Sequence, residues 1–146
     1  MKIVVDADAC PVKREIVKAA GKSGIPVIMV CDTSHVIEDG YSRVITVDKG
    51  SDSADYRIVN AAKAGDIVVT GDYGLAAMAL SKGARAISFN GVVYNDLNID
   101  LLLNQRHFAK ESRRRGKRAS AIKKRNSGQD AEFYSSFITL IEELID

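Results

Sequence analysis

Three features of the sequence predict an α/β fold: a mainly parallel central sheet of about five strands, helices on both faces, and further helices at the C-terminus. Short apolar runs rich in Val and Ile recur between segments of helical periodicity, the pattern of strands joined by crossover helices. The runs show little polar alternation, as expected of strands buried on both faces. After about residue 98 the strand signal stops and helical spacing alone continues to the end.

Ile3, Val4 and Val5 form the first strand, which ends in Asp6-Ala7-Asp8. Pro11 suits the first turn of a helix, Val12, Ile16, Val17 and Ala20 follow at helical spacing, and Gly21 to Gly24 close it. Residues 25–31 read as the second strand, with Pro26 near its start, where a missing amide is tolerated. Residues 43–48 read as the third. A helix then runs from Asp52 or Ser53 to about Ala64, and Gly65 ends it. Residues 66–70 are the fourth strand, followed by Gly71-Asp72 and a helix through Leu75, Ala76, Ala79 and Leu80. Residues 84–89 are the fifth. Ile99, Leu102, Leu103 and Arg106 then share one side of a helix, and Phe133, Phe137, Leu140, Ile141 and Leu144 form an apolar stripe on the last.

The 146 residues suit a single domain, with a core of about 1–95 and a helical, basic extension of about 96–146. No stretch approaches the roughly 18 apolar residues of a membrane span. The chain enters a strand directly, with no leader pattern, so a soluble cytoplasmic protein with no membrane partner is expected. Cys10 and Cys31 form no metal-type spacing with each other or with His35 and His107. Cys10 is expected to be a small packed residue and the histidines to serve surface or core roles. A homo-oligomer is compatible with the sequence.

Charge is unevenly distributed. Nine basic residues and one acid lie between Lys110 and Arg125, leaving 12 basic against 18 acidic residues elsewhere, about −6. The run is nearly all one sign and rich in Arg, which suits phosphate better than mere solubility. Arg113, Arg114, Arg115, Lys117, Arg118, Lys123, Lys124 and Arg125 are therefore the candidate nucleic-acid contacts, with RNA the expected partner.

Acidic residues concentrate at strand ends. Asp6 and Asp8 follow the first strand, Asp72 follows the fourth, and Asp52 and Asp55 open the helix before it. Right-handed crossovers bring these positions to one edge of the sheet. Asp6 and Asp8, two apart in an extended chain, should leave on the same side. Carboxylates gathered in this way repel one another unless a cation is present, and oxygen donors select Mg²⁺ or Mn²⁺. A structural reading stands beside this one, because Asp52 with Asp55 has the spacing of a capping box and Asp72 is placed to cap its helix.

Val4-Val5-Asp6-Ala7-Asp8, Ala54-Asp55-Tyr56-Arg57-Ile58 and Val68-Val69-Thr70-Gly71-Asp72-Tyr73-Gly74-Leu75-Ala76 resemble, in order, the motif series of PIN-like metal-dependent nucleases. The stretches Asp6 to Lys13 and Lys49 to Asp55 more narrowly resemble the bacterial YaiI/YqxD family. The first resemblance covers about residues 1–90 and the second nearly the whole chain. The PIN-like resemblance implies Asp6, Asp55 and Asp72 as metal ligands, with Asp8 where many PIN domains carry asparagine. Those domains usually supply another acid from a helix between the first and third motifs. Here that stretch offers Asp32, Glu38, Asp39 and Asp48 in loops or at strand ends, and Asp52 is a compensating acid. Thr70 and Ser51 are placed to orient the ligating carboxylates.

The leading expectation is a nuclease acting on RNA or single-stranded nucleic acid, with Asp6, Asp8, Asp55 and Asp72 at its catalytic metal centre. One rival is a phosphatase of the haloacid dehalogenase type, with Asp6 as nucleophile and Asp8 as general acid. That fold normally needs a second acid soon after the Gly-Asp, and Tyr73-Gly74-Leu75-Ala76-Ala77 lacks one. The other rival is a non-catalytic RNA-binding protein.

Overall fold

The computed structural model describes residues 1–50, 53–114 and 124–145, with side chains as far as Gln105 in the second stretch. Ser51, Asp52, Arg115, Lys117, Arg118 and Lys123 lie outside the described residues, as do the side chains of Arg113 and Arg114. The elements are β1 (Ile3–Asp6), α1 (Lys13–Ser23), β2 (Val27–Asp32), β3 (Arg43–Val47), α2 (Ser53–Ala61), β4 (Ile67–Val69), α3 (Tyr73–Ser81), β5 (Arg85–Ile87), β6 (Val93–Tyr94), α4 (Asp96–Arg114) and α5 (Ser127–Ile145). They build one six-stranded sheet in the order β3-β2-β1-β4-β5-β6. The first five strands run parallel, and β6 pairs with β5 antiparallel.

The unalternated first strand has a direct packing explanation. Ile3 and Val5 enter a core with Ile16 and Ala20 of α1 and Phe133, Phe137, Leu140 and Ile141 of α5. Val4 points the other way, among Ile58 and Ala62, Leu75 and Ala79, and Ile99 of α4. All three side chains of β1 are fully buried because β2 and β4 flank the strand and helices cover both faces. The first helix stops as its glycines suggest: Gly24 takes a left-handed conformation, φ 65°, and its amide returns to Ala20 and Gly21 carbonyls.

Two expectations are corrected. The sheet has six strands, since Asn90-Gly91 turns the chain back and the Ser88 amide donates to the Val92 carbonyl at 2.9 Å. Gly91 has φ 88°, and a Cβ there would lie 2.9 Å from Ser136 Oγ on α5, so this turn admits only glycine without displacement. The loop expected after Asp32 joins the parallel strands β2 and β3 over residues 33–42. Asp39 organises that loop by accepting from the Tyr41 and Ser42 amides at 2.8 and 2.6 Å, and the Tyr41 hydroxyl donates to the Ile25 carbonyl. Helix α2 ends at Ala61, three residues short of expectation.

At the opposite end of β1 and β4, buried Asp66 accepts from the Lys2 amide at 3.1 Å, the Lys63 amide at 2.9 Å and the Lys2 ammonium at 2.5 Å. Burial alone would raise this carboxyl, but the Lys2 and Lys63 hydrogen bonds outweigh it and hold it below the ordinary range. Because the folded value is depressed, the stabilisation is present above the unfolded value near pH 4 and is lost as pH falls through the folded one. Asp66→Ala should therefore cost about 2–4 kcal/mol in urea denaturation at neutral pH. The difference between the two proteins should narrow near pH 3; a gap of unchanged size there would contradict this role.

Candidate functional site

Chain direction across the sheet reverses beside β1, because β2 and β3 extend to one side while β4 and β5 extend to the other. The crevice outside the carboxyl ends of β1 and β4 is thus a topological switch point, where open α/β sheets bind ligands. Asp6, the last residue of β1, is placed there. Its Oδ2 accepts from Thr70 Oγ1 at 2.9 Å, just beyond β4. The buried Thr70 hydroxyl oxygen in turn accepts from the Asp72 amide at 3.0 Å, so one threonine ties both aspartates together. Asp72 caps α3 through Oδ1, which accepts from the Leu75 amide at 3.1 Å. The capping role open to Asp72 in the sequence is thus realised, and the residue also lines the cleft.

That cleft has a volume of about 660 Å³ and is lined by Asp6, Ala9, Gly71, Asp72, Tyr73 and Phe89. A Cβ at Gly71 would stand 3.0 Å from the Phe89 ring, so glycine lets that ring approach the backbone closely at this wall of the cleft. Behind it, the buried Tyr94 hydroxyl donates to the Thr70 carbonyl at 3.3 Å. Burial, with Tyr73 and Asp72 adding to it, pushes the Tyr94 phenol up to about 12, which keeps it a neutral donor. Tyr73 meets Tyr94 edge to face with ring centroids 6.2 Å apart.

The electrostatics converge on Asp6. Burial raises its carboxyl above the ordinary value, the Thr70 hydrogen bond opposes that, and the negative charges of Asp55, Asp72 and Asp8 raise it further. Asp55 belongs to the first turn of α2, so carboxylates from three separate chain segments (residues 6–8, Asp55 and Asp72) act on one point. No three of these four carboxylates approach closely enough to bring ligating atoms within 4.8 Å of one another.

Asp8 departs from expectation. Strand β1 ends at Asp6, the Ala7 amide donates to the Val30 carbonyl at 3.0 Å, and the chain turns as the Cys10 amide returns to Ala7. Extended alternation therefore does not carry to Asp8. Both its oxygens accept from the Asp32 amide, at 3.0 and 3.1 Å, and Oδ1 lies 2.8 Å from His35 Nδ1. Asp8, Asp32 and His35 are the one set of three among the described residues whose ligating atoms all fall within 4.8 Å. Asp32 is held below its ordinary range by the Ser34 hydroxyl and amide, with His35 contributing. The sequence reading gave His35 no such role. The available signal was Asp32-Thr33-Ser34-His35 directly after a strand end, at a spacing that lets i and i+3 meet.

Two further residues are placed plainly. Cys10 is buried, and burial pushes its thiol up to about 11, so it is a packed residue and not a nucleophile. Arg125, grouped with the basic run in the sequence, is spent on intramolecular bonds. Its three nitrogens lie 2.6 Å from Asp130 Oδ1, Asn90 Oδ1 and the Phe89 carbonyl, fastening the start of α5 to the turn that carries Phe89. With each nitrogen holding a partner, it acts as a clasp. Lys124 is exposed.

The family described as "Uncharacterized BCR, YaiI/YqxD family" matches residues 4–143. A UPF0178 protein of Ruminiclostridium cellulolyticum is 54% identical over 142 residues, covering 97% of this chain and 93% of that one. A UPF0178 protein of Alkaliphilus oremlandii is 49% identical, covering 99% and 94%. Among solved structures, Rae1 (YacP) of Bacillus subtilis is similar with 18% identity and a TM-score of 0.47, over 99% of this chain and 98% of that one.

If the charges around Asp6 repel as described, Asp6→Asn should stabilise the protein measured in chelator, since the amide keeps an acceptor for Thr70 and removes a charge. We expect the melting temperature to rise by about 2–4 °C, the shift that about 1 kcal/mol produces in a chain near this size. A fall in melting temperature would mean that the carboxylate is a net stabiliser where it sits.

Proposed function

The chain belongs to the uncharacterized YaiI/YqxD family, and we propose that it is a divalent-metal-dependent nuclease with a PIN-like core, acting on RNA or other single-stranded nucleic acid. The observation that carries this reading is the crowding of Asp55, Asp72 and Asp8 charge onto the half-buried Asp6 at the switch point of the sheet. Three of these acids fall at the positions where the sequence resembles the PIN-like motif series. An arrangement of carboxylates that opposes itself suits a hard cation, and Mg²⁺ or Mn²⁺ fits an oxygen donor set.

In this reading Asp6, Asp55 and Asp72 would hold the ion, which draws their carboxylates closer together than they stand without it. When bound, it supplies an activated water and charge stabilisation for the departing oxygen. The protein's own part is positioning. Thr70 fixes Asp6, Tyr94 steadies the Thr70 backbone, and the cap on α3 fixes Asp72. Asp8, held by the Asp32 amide and by His35, is an orienting group at the rim and not a fourth equivalent ligand. Lys124 and the basic residues preceding it supply phosphate affinity that is largely independent of sequence. The phosphatase reading gains nothing from the residues after Asp72, since Tyr73–Ser81 forms a helix without an acid.

Asp72→Asn separates chemistry from folding, because an amide oxygen can still cap α3 while the negative charge is lost. With labelled single-stranded RNA and Mn²⁺, we expect the wild type to cleave and the variant to lose roughly 10²–10³-fold in rate, the scale of one lost transition-state contact. Melting temperature and RNA affinity should hold. Wild-type protein that leaves RNA intact with Mn²⁺ present, while still binding it, would replace this reading with that of a non-catalytic RNA-binding protein.

A further inference from the structure

Tyr56 follows Asp55 on α2, and 72% of its surface is exposed. Met78 of α3 is likewise 45% exposed. These two side chains, with Asp55, Val59 and Asn60, line a groove of about 440 Å³ between α2 and α3. Tyr56 also borders a second depression together with Thr46, Asp48 and Arg57. A large ring and a thioether lining one groove, at the edge of a carboxylate centre, suit an occupant that supplies a flat apolar face.

We propose that the Tyr56–Met78 groove seats one unpaired base of a single-stranded nucleic acid, immediately beside the Asp55 edge of the metal centre. The chemistry of the groove selects that part of a nucleotide. Its walls are an aromatic ring, a thioether and Val59, which suit a π-face. Asn60 offers both a donor and an acceptor to a base edge. The Asp55 carboxylate repels phosphate, so the backbone is kept out of this groove, and Arg57 in the adjoining depression, which it shares with Asp48, is the group that can meet a phosphate. Bases within a duplex are stacked and paired and cannot enter such a groove, so the substrate is single-stranded there. This inference rests on the nuclease reading for its substrate and extends it by naming how the strand is held.

The test measures binding without cleavage, by fluorescence anisotropy in EDTA, with labelled single-stranded oligonucleotides and a hairpin duplex. Tyr56 is exposed, so Tyr56→Ala and Tyr56→Phe should fold, as their melting curves will verify. Loss of the ring should weaken single-strand binding about tenfold, within the range measured for one base stacked on an aromatic side chain. Tyr56→Phe should bind like the wild type, and duplex binding should not change. In a series of oligonucleotides with one abasic site moved along the strand, one position should reproduce the loss in the wild type and add nothing in Tyr56→Ala, since coupled groups are not additive.

Equal single-strand binding by Tyr56→Ala and wild type overturns the proposal, as does equal loss on both substrates or a wild type that binds no single strand. A drop in oligomeric state on Tyr56→Ala without nucleic acid would give the groove to a second copy and also overturn it. Tyr56-dependent binding by a protein that never cleaves would sink the nuclease reading and leave this one standing. Normal cleavage with Tyr56-independent binding would do the reverse.

Discussion

Burial of β1 on both faces is the interaction on which the remaining structure depends. Ile3, Val4 and Val5 supply two different cores, one with α1 and α5 and one with α2, α3 and α4, so a single short strand joins both layers. Fully burying side chains of this kind contributes about 1.5–3 kcal/mol each. That gain offsets an electrostatic cost at the carboxyl end of the strand, where the residue delivered is an aspartate in a half-buried position facing other acids. Without a rigid central strand, Asp6 would turn to solvent and the convergence of charge would dissolve.

The acids around Asp6 are not equivalent. Asp72 and Asp55 open helices, where the amide groups of the first turn favour a negative charge, and Asp72 also caps its helix directly. Asp8 is bonded to the Asp32 amide and to His35. Each of these three has a local reason to be where it is. Asp6 has the Thr70 hydroxyl, while burial and three neighbouring charges act against its ionised form. The electrostatic cost of the arrangement is therefore concentrated on one residue, and that residue is the natural focus for a cation.

Most of the architecture was legible because it follows from local rules. Apolar runs without alternation marked the buried parallel strands, glycines marked helix ends, and the Phe133–Leu144 stripe marked α5. The errors arose where tertiary context decides. Strand β6 is two residues long and is defined by its hairpin turn, so periodicity had nothing to register. The loop between β2 and β3 is turned locally by Asp39 and pinned across the fold by the Tyr41 hydroxyl on the Ile25 carbonyl, a contact that no local pattern announces. At the site, Asp6, Asp72 and Thr70 were readable from strand ends alone. The grouping of Asp8 with Asp32 and His35 was not, because it depends on β1 stopping at Asp6 and the chain turning there. Arg125 looked like part of a basic run by composition, and its clasp across the β5–β6 turn was visible only in three dimensions.

The central claim is that the carboxylates around Asp6 form the cation site. Calorimetric titration of Mn²⁺ into the wild type, Asp6→Asn and His35→Ala addresses it most directly. We expect saturable binding by the wild type, its loss in Asp6→Asn and its retention in His35→Ala. Retention in Asp6→Asn with loss in His35→Ala would assign the cation to the Asp8, Asp32 and His35 set and contradict the account, as would the absence of saturable binding by the wild type.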